Sequence, residues 1–275
     1  MKSEQVIETI SNALRDLAAV RGLFLSGSFG NGRADAFSDI DFVLVSEDGP
    51  TDDVAAAWKA AVAGTGDIVM WRDRSVRPAL INAITADWTR TDVIILKPEQ
   101  FAAHNQASLR PLFDYDGLYD QLPKERPQPQ ASPARLFRQI EEFIRILGLL
   151  HLAVGREEYI NGVAGIFHLR TKLIDLMVDE TAAPDRGGAL HLNRLLTDEQ
   201  KALITALPAA VPERDAMITT HLAYARAYLP RARKLAMKRG VAWPESFETA
   251  TWKKLNQSLG VVGPYDISGG PASKA

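Results

Sequence analysis

Asp39 and Asp41 stand two residues apart at the head of the run Asp39-Ile40-Asp41-Phe42-Val43-Leu44-Val45. The apolar stretch predicts a strand, and in a strand residues i and i+2 project from one face. Two ionised carboxylates ~5 Å apart repel by roughly 3 kcal/mol at an effective dielectric of about 20. A strand gains nothing from that repulsion, whereas a divalent cation removes it and turns the pair into a site. Asp92 is the expected third member, because it opens the apolar run Asp92-Val93-Ile94-Ile95-Leu96, where a charge is otherwise unwelcome. Three carboxylates on adjacent strands, with no His or Cys nearby in sequence, favour a hard, oxygen-preferring ion. Mg²⁺ is the default, completed by phosphate oxygens. Asp67 and Asp73 flank another strand-like run and compete for the third place. They rank lower because neither opens a strand that follows a hairpin.

Upstream, Gly27-Ser28 ends an apolar run and enters the glycine-rich loop Phe29-Gly30-Asn31-Gly32-Arg33. Exposed backbone N–H groups in such a loop can cradle an anion, with the Ser28 hydroxyl as a further donor and Arg33 as added positive charge. Two common phosphate motifs are excluded. Gly27-x4-Gly32 is followed by Arg33-Ala34 where a P-loop needs Lys and Ser/Thr, and Gly30-x-Gly32-x-x lands on Asp35. Asp35 and Ser38 read as turn formers that bond to nearby backbone.

The elements that must hold these residues follow from periodicity. Val6, Ile10, Leu14 and Leu17 recur at helical spacing and predict an opening helix with one buried stripe. Strands are expected at Gly22–Ser26, Asp39–Val45, Asp67–Trp71, Leu80–Thr85 and Asp92–Leu96, with a helix over Asp52–Ala63. The short connection Ala86–Arg90 makes the last two strands a hairpin, so the sheet is mixed. Pro123–Pro133 (PKERPQPQASP) carries four prolines and reads as a semi-rigid linker. Beyond it the period stays helical, with helices near Ala134–Val154, Glu158–Asp179, Asp198–Leu207, Glu213–Lys238 and Pro244–Leu259. The expected organisation is α+β: residues 1–122 an α/β domain with a mixed sheet, 123–134 a linker, 135–260 an all-helical domain, and 261–275 a flexible tail.

Composition bounds the function. The chain has 275 residues, no cysteine, and 32 basic against 34 acidic side chains, a net charge of −2. Disulfides, thiolate metal sites and cysteine nucleophiles are excluded, and the balance argues against a sequence-independent nucleic-acid coat. No run of 18 apolar residues exists, and the N-terminus is polar, so a cytoplasmic protein without a membrane span is expected. Charge divides with the domains: 11 basic and 18 acidic residues over 1–122 (−7) against 21 and 16 over 123–275 (+5). The five histidines lack paired ligand spacing, which argues against zinc. His168, Arg170 and Lys172 alternate along one helix and cannot all face one point. Tyr224 and Tyr228 read as a packing pair. Glu141, Glu142 and Asp175 are candidate acids for orienting an acceptor hydroxyl.

Gly27-Ser28, ten residues, then Asp39-Ile40-Asp41 and a later strand acid resembles the DNA polymerase β-type nucleotidyltransferase superfamily. Its small-molecule branch includes the aminoglycoside and lincosamide nucleotidyltransferases. The motif spans about 22–96, and Val154–Tyr159 with the helix carrying Leu169-Arg170 and Leu173–Met177 resembles the helical domain of lincosamide-type members. The resemblance implies Asp39, Asp41 and Asp92 as catalytic metal ligands for two Mg²⁺ ions, with Gly27 and Ser28 on the phosphates of ATP or another NTP. A hydroxyl would attack the α-phosphate in line and pyrophosphate would leave, with Asp92 supporting the metal nearest that hydroxyl and acting as its base. The implied reaction carries an NMP, with AMP from ATP the expectation, to a small hydroxylated molecule, antibiotics among the candidates. A protein AMPylator of toxin–antitoxin type and a non-catalytic nucleotide-binding module are the alternatives. Nucleic-acid end extension is disfavoured, since no aromatic-basic stacking pattern is present. In small-molecule members the substrate can lie between subunits, which makes a homodimer an open expectation.

Overall fold

The computed structural model describes residues 3–74, 79–125, 132–181 and 191–263. The chain divides into two compact units, Met1–Arg126 and Pro127–Ala275. Residues 126–131 of the proline-rich linker and 264–275 of the expected tail lie outside the described residues.

The first unit opens with α1 (Ser3–Arg15), which buries Val6, Ile7, Ile10 and Leu14. Leu17, expected on the same stripe, falls beyond the helix end and is exposed. The chain then runs through β1 (Val20–Leu25), the single turn α2 (Gly27–Gly30), β2 (Ile40–Ser46), α3 (Asp52–Ala63), β3 (Ile68–Arg74), β4 (Ala79–Thr85) and β5 (Arg90–Leu96). A short α4 (Pro98–Phe101) and the edge strand β6 (Arg110–Asp114) complete it. Thr51 caps α3 by accepting from the Val54 amide.

The six strands form one mixed sheet in the order β3-β4-β5-β2-β1-β6. β2 and β5 are parallel, and every other neighbouring pair is antiparallel. Alternation divides the sheet's faces. Ile40, Phe42 and Leu44 of β2 and Val93 and Ile95 of β5 pack with α1 and α3, against Trp58 and Val62. Val43, Val45 and Leu96 point to the other face and join a smaller cluster with Phe24, Phe101 and Leu109. That smaller cluster covers the C-terminal ends of β2 and β5. The N-terminal ends of the same face carry polar residues instead, and there the carboxylates sit.

Among the described residues of the second unit every regular element is a helix: α5 (Pro133–Gly148), α6 (Leu150–Gly155), α7 (Tyr159–Thr181), α8 (Leu192–Leu195), α9 (Asp198–Ala206), α10 (Arg214–Lys238) and α11 (Glu245–Leu259). The single helix expected over Ala134–Val154 is two helices that meet at Leu149. Ser132 caps α5 with Pro133 in the first turn, and Thr197 with Gln200 forms a capping box on α9. The core packs α5, α7 and α10 through Phe143, Leu173, Tyr228 and their neighbours, with the Phe143 and Tyr228 rings stacked at 3.7 Å.

Candidate active site

The parallel ladder places Asp41 opposite Asp92, and on the far side of β5 the antiparallel ladder places Asn82 opposite Asp92. The three side chains share one face because paired residues of neighbouring strands point the same way. Asp39, one residue before β2, completes the group: one oxygen from each of Asp39, Asp41 and Asp92 lies within 4.8 Å of the others. Asp92 does not open its strand as expected; Arg90 and Thr91 precede it in β5. Neither Asp67 nor Asp73 joins the carboxylate cluster, and among the described residues no other such group occurs.

The electrostatics follow from that crowding. Burial, then the negative charges of Asp39 and Asp92, push Asp41 up to about 6. Burial also raises Asp92, opposed by a hydrogen bond with Asn82. Arg90 lowers both, and it reaches Asp39 at 3.4 Å. Its second terminal nitrogen donates to the Phe37 carbonyl at 3.2 Å, which ties the loop before β2 to the head of β5. Periodicity could not find Arg90, since the sequence pattern puts it at the end of the hairpin connection, where a lone arginine is ordinarily solvated, whereas it is the first residue of β5.

Gly27 covers the carboxylates from the β1 side. It has a positive φ of 55°, and a β-carbon there would lie 2.0 Å from Oδ2 of Asp41. The Ser26 amide donates to the Asp41 carbonyl at 2.9 Å, so the turn is stitched to the strand that carries the acid. The first amides of α2 have no intrahelical partners, a consequence of its position as a helix start. The Ser28 hydroxyl is buried and makes no hydrogen bond. Arg33 is exposed on the loop that follows, and its amide donates to the Ser28 carbonyl. Asp35 and Ser38 bond to each other and to local backbone, as turn formers do.

These features fit a hard divalent cation and a phosphate chain. The donor set is all carboxylate oxygen, the acids repel without a cation, and the turn that carries the unpartnered Ser28 hydroxyl meets the Asp41 side chain at Gly27. Asp39, Asp41 and Asp92 are the residues that could hold the ion, and Gly27 and Ser28 those that could meet the phosphates.

In the helical unit, a cleft of about 630 Å³ is lined by Arg135, Arg138, Gln139, Glu141, Glu142 and Arg145 of α5, Lys172 and Asp175 of α7, and Phe247 of α11. It gathers the three acids considered for an acceptor hydroxyl. Glu142 is engaged by Arg145 through two hydrogen bonds, which hold its carboxyl low, and Glu141 and Asp175 stand beside that pair on the cleft wall. Lys172 faces the cleft, whereas Arg170 turns inward to the Tyr224 hydroxyl and the Ile204 carbonyl. Tyr224 and Tyr228 are both buried in the core.

Residues 7–67 match the family model described as a nucleotidyltransferase domain, a span that holds Gly27, Ser28, Asp39 and Asp41 and stops short of Asp92. Among curated proteins there is no significant match. Among solved structures the chain is similar to an aminoglycoside 6-adenyltransferase from Bacillus subtilis, with 13% identity, a TM-score of 0.43, and coverage of 92% of this chain and 98% of that one. It is also similar to a nucleotidyltransferase-like protein from Exiguobacterium sibiricum 255-15, with 12% identity, a TM-score of 0.39, and coverage of 94% and 88%.

Proposed function

We infer that this chain, a nucleotidyltransferase by the domain in its first half, moves a nucleoside monophosphate from an NTP to a hydroxyl of a small molecule. AMP from ATP is the expected group and donor, and antibiotics are among the acceptors to try. The observation that carries this reading is the meeting of Asp39, Asp41 and Asp92 within 4.8 Å under the Gly27–Ser28 turn.

Mg²⁺ bound by the three aspartates would supply Lewis acidity at the α-phosphate and charge neutralisation for the leaving pyrophosphate. The chain's own residues do the rest. Gly27 and Ser28 orient the β- and γ-phosphates through backbone amides and the hydroxyl, and Arg33 adds positive charge at the loop. Asp92 accepts the proton of the attacking hydroxyl. The new bond joins the acceptor oxygen to the α-phosphorus, and the bond from that phosphorus to the β-phosphate oxygen breaks. Asn82 and Arg90 hold the acids in position.

The test is pyrophosphate release from each of the four NTPs with Mg²⁺ and a panel of hydroxylated small molecules, with α-labelled nucleotide tracing the product. Label on a small molecule, lost in Asp41→Asn, is the expected result. Label only on a protein from lysate would overturn the small-molecule acceptor in favour of protein AMPylation.

A further inference from the structure

Trp88 is the third residue of the loop Ala86-Asp87-Trp88 that joins β4 to β5. The Trp88 amide donates to the Thr85 carbonyl at 2.8 Å, and the Thr85 amide donates to the Thr89 carbonyl at 3.1 Å. Asp87 accepts from the Thr85 hydroxyl and the Thr89 amide. This is a three-residue hairpin loop, whose last position takes a left-handed backbone and is ordinarily glycine. Here a tryptophan occupies it, with φ 63°, and the residue is 75% exposed. Strain at a bulky residue, with no burial in return, does nothing for folding. Phe37, on the loop before β2, is 87% exposed. Each ring stands two residues from a member of the carboxylate site, Phe37 from Asp39 and Trp88 from Arg90, and Arg90 joins the two loops.

Strand order then says which substrate they meet. At this end of the sheet the Gly27–Ser28 turn follows β1, the carboxylates head β2 and β5, and the Trp88 loop lies beyond β5. If the turn holds the leaving pyrophosphate, in-line displacement brings the attacking hydroxyl from the opposite side, past Asp92. We propose that Trp88, with Phe37, is the surface on which the acceptor rests a flat ring face, so that the acceptor is ring-bearing as well as hydroxylated. Sugar and aromatic rings both suit an exposed indole, and the stack sets the acceptor's orientation toward Asp92. This deepens the nucleotidyl-transfer reading and rests on it.

The test uses the full chain and two probes, Mg·ATP and phenyl β-glucoside, with binding read by titration in NMR for the wild type, Trp88→Ala and Trp88→Phe. Melting temperature is followed in Trp88→Gly. The expected result is glucoside binding weakened about tenfold in Trp88→Ala and restored in Trp88→Phe, with Mg·ATP affinity unchanged. Trp88→Gly should melt about 2–4 °C higher, because glycine relieves the left-handed strain. Weakened Mg·ATP with intact glucoside binding would assign the indole to the donor's base and overturn the proposal. No glucoside binding to the wild type, equal binding to wild type and Trp88→Ala, or a lower melting temperature in Trp88→Gly would overturn it as well. Failure of the wild type to bind any Mg·NTP would instead overturn the nucleotide reading, and the sidedness with it.

Discussion

Gly27 and Asp41 compete for one space: a β-carbon on residue 27 would fall 2.0 Å from Oδ2 of Asp41 and 2.9 Å from its Cγ. The atom in the way ends a side chain, so Asp41 can yield, but only by leaving the position that groups it with Asp39 and Asp92. Gly27→Ala should therefore cost about 1–2 kcal/mol of stability through its positive φ. It should lower the transfer rate far more than that cost implies, by at least roughly tenfold, since a small misplacement at the reacting centre is expensive. Denaturant melts beside steady-state rates would check the split, and equal small losses in both would contradict it.

Asp41 also predicts a pH signature. Its folded value, pushed up to about 6, exceeds its ordinary value of 3.8, so between the two the folded chain binds more protons than the unfolded one. The stability Asp41 contributes is present below the lower value and is lost as pH rises through the upper one. After allowance for solvent screening the loss is of the order of 2 kcal/mol. In metal-free buffer, Asp41→Asn should match the wild type near pH 4 and become the more stable of the two by about pH 7. Calorimetry of both proteins with a chelator present measures the gap. A constant gap across that range would contradict the assignment.

Arg90 lowers the pKa of both Asp41 and Asp92 while it spans Asp39 and the Phe37 carbonyl. Arg90→Met removes the charge and keeps the apolar stem. Both acids should then deprotonate at higher pH, and the acidic limb of the rate profile should move upward. A profile that falls in height without moving would mean that Arg90 only braces the loop.

Away from the site, the Tyr228 hydroxyl is buried with no hydrogen-bond partner, and burial together with the Asp175 charge pushes its pKa upward. Tyr228→Phe deletes the unpaired group and keeps the stack on Phe143. Stability should stay level or rise by up to about 1 kcal/mol, with the transfer rate unchanged. A clear loss of stability in thermal melts would show that the hydroxyl has a partner in solution.

What the sequence disclosed, and what it hid, has a common cause. Asp39, Asp41 and Asp92 were legible because charge is costly on an apolar strand, and Gly27-Ser28 because a glycine at a strand end announces a turn. The strands from β1 to β5 stood out as apolar runs bounded by glycine, proline or charge. The edge strand β6 did not, because Arg110–Asp114 is short and Pro111 removes a ladder donor. The break at Leu149 was hidden because helical spacing of apolar residues continues from Ile146 to Val154 across Gly148 and His151. Arg90 and Trp88 carry no periodic signal, since their importance comes from which strands the sheet sets side by side. Parallel pairing of β2 with β5 brings residues 41 and 92 together, and no local pattern states that pairing.

The most direct test of the central claim is the melting temperature of wild type and Asp41→Asn with each NTP, with and without Mg²⁺, each protein compared with its own ligand-free baseline. A ligand at about 100 times its Kd stabilises by roughly 2.7 kcal/mol, which moves the midpoint by several degrees. A Mg²⁺-dependent rise with an NTP in the wild type, absent from Asp41→Asn, is the predicted result. A rise of equal size in both proteins, or none with any nucleotide, would contradict the assignment of Asp39, Asp41 and Asp92 as the metal-nucleotide site.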